Sequence, residues 1–268
     1  MRVMPAVLLA LSTLAAWPAA AAPQAHPVEW TVAGKTFSGA LVYDDASTAP
    51  RPGLVMVPNW MGVTEAAIEK AKAIAGQRYV VLVADVYGKG VRPADAKQAG
   101  ELAGGLRGGD RAALRQRTQA AVEVLRAQAG SAPLQAAQIG AVGFCFGGTA
   151  VLEVARAGVP LAGVVSLHGG LAAGTGQTVG AVGTPVLVLN GAADKAVSTE
   201  EVNGFQQEMD RAGADWQLVN FAGAVHCFAE ADAGNDPASN CRYDERAAKR
   251  AFRIMDGFFT ERFDHGQP

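Results

Sequence analysis

A cysteine flanked by glycines, between an apolar run and a helix-like stretch, is the feature that most constrains this chain. The apolar residues 138–142 lead directly into Gly143-Phe144-Cys145-Phe146-Gly147-Gly148, and residues 149–155 follow with a helical pattern. A sharp Gly-x-Cys-x-Gly turn between a strand and a helix lifts its central side chain to the N-terminus of the helix. Because such a position lowers the pKa of a thiol, the pattern predicts that Cys145 is a nucleophile. The alternative is a small buried apolar residue whose neighbouring glycines serve only packing.

Apolar runs alternate with helical patterns along the rest of the chain. This pattern predicts strands at 28–32, 35–43, 54–57, 80–84, 139–144, 161–166, 185–189 and 216–221. It predicts helices at 64–75, 94–102, 110–127, 149–155, from Ser198 onward and at 247–259. Uniformly apolar strands separated by helices indicate an α/β fold, with a mostly parallel central sheet covered by helices on both faces. In such sheets, functional groups gather at the carboxyl ends of the strands.

The composition is that of an ordinary globular protein. Of 268 residues, 50% are hydrophobic and 18% are charged, and the formal net charge is −2. Residues 22–268 can therefore form one large core, and we expect a single domain. The scattered basic residues form no continuous positive face, which argues against nucleic acid or an anionic membrane as a partner. We expect a protein that acts on a small molecule, with a monomer favoured.

The first 21 residues have the pattern of a signal peptide. Met1 and Arg2 form a minimal positive region, residues 3–14 are mostly apolar, and small residues follow up to Ala22. We expect cleavage after Ala21, export to the periplasm or beyond the cell, and no stable membrane association after cleavage. The alternative is an uncleaved anchor, although the apolar stretch is short for a membrane span.

The three cysteines divide into a pair and a single residue. Cys227 and Cys241 bracket a polar, turn-rich stretch, and a disulfide between them would close a loop of about 15 residues. In the chain-entropy model such a loop stabilises the fold by roughly 3 kcal/mol. The bridge would leave Cys145 as a free thiol, as a nucleophile requires. The alternative is two unpaired thiols, which an oxidising compartment disfavours.

A nucleophile in this kind of turn requires an acid and then a histidine later in the chain. His226 follows the last predicted strand, and Asp194 lies at the tip of the turn after strand 185–189. A carboxylate there can accept the ring N–H of the base and stabilise the imidazolium. We therefore predict a Cys145–His226–Asp194 triad, against the alternatives of a surface histidine and a carboxylate that only caps a turn. His168 precedes any late acid, so we predict only that it lines the site.

Two backbone N–H groups are predicted to stabilise the negative oxygen that forms during attack on a carbonyl. One belongs to Phe146, which follows the nucleophile. The other should come from the loop after an earlier strand, and the topology favours Trp60 within residues 58–62.

Taken together, these motifs resemble the dienelactone hydrolase family of α/β hydrolases. The resemblance covers residues 54–259 and is carried by the segments 84–88, 143–148, 190–194 and 223–226. It implies that Cys145, Asp194 and His226 are the triad and that Trp60 and Phe146 form the oxyanion hole. It also implies attack on a lactone or ester carbonyl, a thioester intermediate, and hydrolysis without a metal ion or cofactor.

The chain departs from the family pattern in the substrate pocket. Asn59 stands where type members carry a glutamate that helps to control protonation of the thiol, and an amide cannot take a proton at neutral pH. Type members also grip a substrate carboxylate with two arginines, whereas Lys89 and Glu230 occupy those places here. We therefore treat Asn59, Lys89, His168 and Glu230 as candidate pocket residues, and a preference for anionic dienelactones is in question.

The sequence thus predicts an exported cysteine hydrolase of carboxylic esters or lactones. A glutamine amidotransferase also has a Gly-x-Cys-x-Gly turn, but it carries a His-x-Glu pair, and Cys227-Phe228 follow His226 here. The second alternative is a non-catalytic protein on a hydrolase scaffold that binds a small molecule or senses thiol oxidation. The unusual Asn59 and Glu230 keep this alternative open.

Overall fold

The computed structural model describes residues 22–264, so the predicted signal peptide lies outside the described residues. Eight strands form one sheet: β1 Gln24–Val32, β2 Lys35–Tyr43, β3 Arg51–Val57, β4 Val80–Val83, β5 Leu134–Phe144, β6 Val164–Leu167, β7 Val186–Gly191 and β8 Trp216–Phe221. Six α-helices accompany it: α1 Glu65–Ala75, α2 Ala96–Arg107, α3 Ala112–Arg126, α4 Phe146–Arg156, α5 Thr199–Arg211 and α6 Glu245–Asp264.

The sheet has the strand order β1-β2-β4-β3-β5-β6-β7-β8. The hairpin of β1 and β2 joins β4 in antiparallel fashion, and every other neighbouring pair is parallel. The central strands are apolar throughout because helices cover both of their faces. Two separate clusters of buried side chains result, one on each face of the sheet. The predicted α/β-hydrolase architecture is confirmed.

Several predicted element boundaries were wrong; β5, for example, begins at Leu134 and not at residue 139. The strand predicted at 161–166 begins only at Val164, because the N–H of Leu161 donates to the Thr184 hydroxyl (3.3 Å) instead of entering a strand ladder. The helix predicted at 94–102 runs to Arg107, and the Asp95 side chain caps its N-terminus. By contrast, the cap predicted at Ser198 is confirmed: its hydroxyl accepts from the N–H of Glu201 at 3.2 Å.

Candidate active site

Cys145 lies in the turn that joins β5 to α4, at the carboxyl edge of the sheet. Its backbone adopts φ 53° and ψ −116°, a left-handed conformation that is strained for a residue with a side chain. The strain is held in place by close packing, since a Cβ on Gly143 or Gly147 would overlap neighbouring backbone atoms. The thiol is half-buried and free, so it lies at the helix N-terminus without being sealed from solvent.

His226 and Asp194 reach Cys145 from the loops that follow β8 and β7. The His226 Nε2 atom lies 3.0 Å from the Cys145 Sγ, and Nδ1 lies 2.7 Å from the Asp194 Oδ2. An ionised carboxylate can only accept, so Nδ1–H must donate to Asp194 and Nε2 is left to exchange a proton with the thiol. The structure therefore brings the three predicted residues into one hydrogen-bonded chain, with the geometry that proton transfer from sulfur requires.

The electrostatics of this chain favour a charged histidine. Burial lowers the pKa of His226, but hydrogen bonds to Asp194 and Cys145, together with the charges of those groups, outweigh burial and raise the pKa to about 10. Burial raises the pKa of Asp194, yet its hydrogen bond with His226 and further donors leave that pKa below its ordinary value. Asp194 is thus an anion that accepts a hydrogen bond from the His226 ring.

The two predicted oxyanion-hole residues border the same turn. Phe146 is the first residue of α4, so its N–H has no partner within the helix. The Trp60 N–H shares a peptide plane with the Asn59 carbonyl, and that carbonyl accepts from the Gly62 N–H at 2.9 Å. The hydrogen bond therefore fixes the direction in which the Trp60 N–H points.

Tyr87 supports both of these residues, and the sequence prediction missed it. Its hydroxyl donates to the Trp60 carbonyl at 2.9 Å, and its ring stacks on Phe146 with centroids 5.7 Å apart. Burial raises the pKa of the Tyr87 hydroxyl well above its ordinary value, so the group remains a donor. The only sequence signal was the position of Tyr87 within the family-like segment 84–88.

His168 lies beneath the site and not in its wall. Its side chain has no exposed surface, so the predicted role in lining the pocket does not fit the structure. The Cys145 N–H donates to His168 Nδ1 at 3.1 Å, and the ring packs edge-on against His226 at a centroid distance of 5.4 Å. Burial, with the charges of His226 and Lys70, holds the pKa of His168 well below its ordinary value. His168 is therefore a neutral histidine that supports the nucleophile's backbone.

Of the remaining pocket candidates, two lie together and one lies elsewhere. Asn59 and Glu230 both line a cavity of about 230 Å³ beside the Asn59 loop. Glu230 is 2% exposed and pairs with Lys70, whose ammonium lies 4.3 Å from the centre of the Phe144 ring. Lys89 instead forms an exposed ion pair with Glu29 of β1 at 2.8 Å, away from this cavity. The role of Lys89 in the substrate pocket stays a prediction.

The predicted disulfide is present between Cys227 and Cys241, whose Cα atoms lie 4.9 Å apart. Cys227 directly follows His226, so the bridge begins one residue from the candidate base. Within residues 22–264, no group of three or more His, Cys, Asp or Glu side chains is arranged to hold a metal ion. None of the helices in this range is long and apolar enough to cross a membrane.

Comparison with known proteins agrees with this architecture. One solved structure is a dienelactone hydrolase-like promiscuous phosphotriesterase, P91, from metagenomic libraries; it is 33% identical, with 90% of this chain and 98% of that chain covered and a TM-score of 0.82. A second, named m3DLH, has 32% identity, the same coverage and the same TM-score. An uncharacterized protein of Caenorhabditis elegans, K02A2.1, is 31% identical over 153 residues, which span 56% of this chain and 94% of that protein.

The sequence profile of the dienelactone hydrolase family matches residues 37–263. This range includes most of β2 and all of strands β3 to β8, and it contains Cys145, Asp194 and His226. The chain belongs to the dienelactone hydrolase family.

Proposed function

We propose that this protein hydrolyses carboxylic esters or lactones through a thioester on Cys145. The observation that carries the proposal is the continuous contact from the Cys145 sulfur through the His226 ring to the Asp194 carboxylate. Its raised pKa lets His226 take the proton of the thiol, which leaves a thiolate next to an imidazolium.

In the first half of the reaction, the thiolate attacks the carbonyl carbon and a carbon–sulfur bond forms. The N–H groups of Phe146 and Trp60 donate to the oxygen that becomes negative. When the tetrahedral intermediate collapses, the carbon–oxygen bond to the leaving group breaks. His226 then gives its proton to the departing alkoxide.

In the second half, His226 takes a proton from water, and the resulting hydroxide attacks the thioester. Collapse breaks the carbon–sulfur bond, releases the carboxylic acid and restores the thiolate–imidazolium pair. Asp194 keeps its charge throughout and stabilises the imidazolium each time it forms.

We propose neutral esters and lactones as the preferred substrates. The two places where the family resemblance implies arginines hold Lys89, which is paired with Glu29, and the buried Glu230. Neither residue offers the planar pair of donors with which arginine binds a carboxylate. A phosphotriester is a second candidate substrate, because P91, at 33% identity, is described as a promiscuous phosphotriesterase.

We also propose that the protein is exported after removal of residues 1–21. The N-terminal sequence pattern supports this, and so does the Cys227–Cys241 disulfide, since disulfides persist in oxidising compartments. Sequencing of the N-terminus of protein purified from the periplasm or medium tests the cleavage site. Recovery of the intact chain from a membrane fraction would refute it.

The activity is tested with the chain from Ala22 onward on p-nitrophenyl esters, neutral and anionic lactones, and paraoxon. We expect turnover of neutral substrates, loss of turnover in Cys145→Ala, and an acyl group on the Cys145 peptide when the reaction is quenched. His226→Ala should lower kcat at least 100-fold. His26→Ala is the matched control, because His26 forms an exposed ion pair with Asp45.

No cysteine-dependent turnover by folded protein with a free Cys145 thiol would refute the proposal. Saturable binding of a lactone without turnover would then favour the alternative of a binding protein on a hydrolase scaffold.

A further inference from the structure

The disulfide-closed segment that ends at Cys241 contacts both the candidate base and the candidate acid. Its disulfide joins the residue after His226 to Cys241, and the backbones of His226 and Cys241 form an isolated parallel bridge. The Arg242 N–H donates to the His226 carbonyl at 3.1 Å. The backbone that carries the imidazole is therefore attached to this segment by one covalent bond and one hydrogen bond.

Asn240 extends the same segment to Asp194. Its Nδ2 donates to the Asp194 Oδ1 at 3.2 Å, and its own Oδ1 accepts from the Lys195 N–H at 3.0 Å. The Ala196 N–H also donates to the Asp194 Oδ1, at 2.8 Å. The Asp194 Oδ2 is therefore left for His226. The Asn240 amide thus holds one oxygen of the carboxylate while the other faces the base.

The segment between the two cysteines is buried only over residues 228–230, and the rest of it lies at the surface. Most of residues 231–240 are exposed, and their only regular structure is one 3₁₀ turn, Ala231–Ala233. Cys227 itself adopts φ 60°, a conformation that few residues other than glycine take without cost. Apart from its own hydrogen bonds to Asp194 and Lys195, Asn240 is restrained by the covalent link at the next residue and by the Arg242 side chain, which donates to the Pro237 and Ser239 carbonyls.

We propose that Asn240 is a positioning residue for the His226–Asp194 pair and that the Cys227–Cys241 disulfide holds it in contact with Asp194. This inference rests on the proposed function. The donor from Asn240 stabilises the ionised carboxylate and fixes the direction of its second oxygen toward the imidazole. The same link orients the His226 backbone, so one bridge aligns both partners of the nucleophile.

The first test compares two substitutions of Asn240. Asn240→Ala removes the donor, and we expect kcat to fall about tenfold with KM nearly unchanged. Asn240→Asp keeps an acceptor for the Lys195 N–H but places a second carboxylate next to Asp194. The extra negative charge should stabilise the imidazolium and move the alkaline limb of the kcat/KM profile, where the imidazolium loses its proton, upward by about one pH unit. Asn235→Ala, an exposed asparagine in the same loop, is the matched control.

The second test asks whether the disulfide acts through Asn240. We expect Cys227→Ser/Cys241→Ser to lower kcat at least as far as Asn240→Ala, because it also releases the His226 backbone, and we expect Asn240→Ala to have little further effect in that background. Additive losses would overturn the inference, because the bridge and the amide would then act independently. An unchanged pH profile in Asn240→Asp would also overturn it, since a purely structural role predicts that result.

A readout that does not need turnover separates this inference from the proposed function. Cys145 is the free cysteine in wild type and in the double serine variant, so the rate of its alkylation by iodoacetamide against pH reports the thiolate–imidazolium pair. If esters are not turned over but alkylation shifts in Asn240→Asp, the proposed function fails and the positioning role stands. If Cys145-dependent turnover occurs and neither profile shifts, the positioning role fails alone.

Discussion

Replacement of His168 by asparagine should change how the stability of the protein depends on pH. His168 has no exposed surface, and burial is the main cause of a pKa held well below its ordinary value. It is packed between Phe144, Phe228 and His226, so a charge on its ring would have no solvent and would face a second imidazolium. The folded protein therefore keeps His168 neutral, whereas the unfolded chain protonates it near pH 6.5.

The sign and size of the effect follow from this difference. Below pH 6.5 the unfolded state binds one more proton than the folded state, so acidification favours unfolding. Acidification from pH 7.5 to 5.5 therefore lowers the free energy of unfolding by RT ln(11/1.1), or about 1.4 kcal/mol, through His168 alone. His226 has the opposite sign, because a pKa raised to about 10 stabilises the fold most below pH 6.5 and loses that contribution as pH rises. Both proteins retain His226, so its effect cancels in their difference.

Asparagine is the informative replacement because it does not titrate and tolerates the φ of 41° found at this position. Its amide oxygen can also accept from the Cys145 N–H. The variant loses packing and should be less stable at every pH, but this deficit should shrink by about 1.4 kcal/mol from pH 7.5 to 5.5. Urea unfolding of both proteins at pH 7.5, 6.5 and 5.5 measures this deficit, provided that the m-values of the variant and the wild type agree. A deficit that stays constant with pH would refute the assignment of His168 as a neutral buried histidine.

Three further predictions concern the elbow and its supports. Tyr87→Phe should lower kcat about tenfold with KM unchanged, because the Trp60 carbonyl loses its hydrogen-bond donor. Steady-state kinetics on an ester measures this, and an unaltered kcat would contradict the prediction. Gly147→Ala should prevent folding, since the added Cβ would overlap the Val57 carbonyl of β3. A Cβ added to Gly104 meets open space, so the control Gly104→Ala should show the wild-type circular dichroism spectrum. Glu153→Gln should destabilise the fold by about 3 kcal/mol in urea, because three arginines pair with this fully buried carboxylate; wild-type stability would count against it.

The parts of the site that the sequence could predict are those whose position follows from the chain itself. Cys145 is fixed by the strand, the glycines and the helix that surround it in sequence. His226 and Asp194 each follow a strand of the parallel part of the sheet, and the carboxyl ends of parallel strands share one edge of the sheet. Such reasoning needs only the order of elements and not their side-chain contacts.

The residues that the sequence could not assign act through contacts between distant segments. Tyr87 forms a hydrogen bond with Trp60, 27 residues away in the sequence, and Asn240 forms one with Asp194, 46 residues away. A polar residue in a loop has no periodicity, so its pattern does not reveal which partner it will meet. The ion pair of Lys89 with Glu29 was unpredictable for the same reason, because only the folded hairpin places Glu29 beside Lys89.

The charge arrangement around Glu230 supports the proposed preference for neutral substrates. If the carboxylate of an anionic substrate entered the cavity beside Asn59, it would have to compete with Glu230 for Lys70, the partner of Glu230 in the ion pair. Separation of that pair would leave Glu230, which is 2% exposed, as an unpaired buried anion, and such a charge costs several kcal/mol. A neutral acyl group leaves the pair intact. The ratio of kcat/KM for neutral over anionic lactones should therefore be well above one, and a ratio below one would mean that Lys70 is free to bind the substrate.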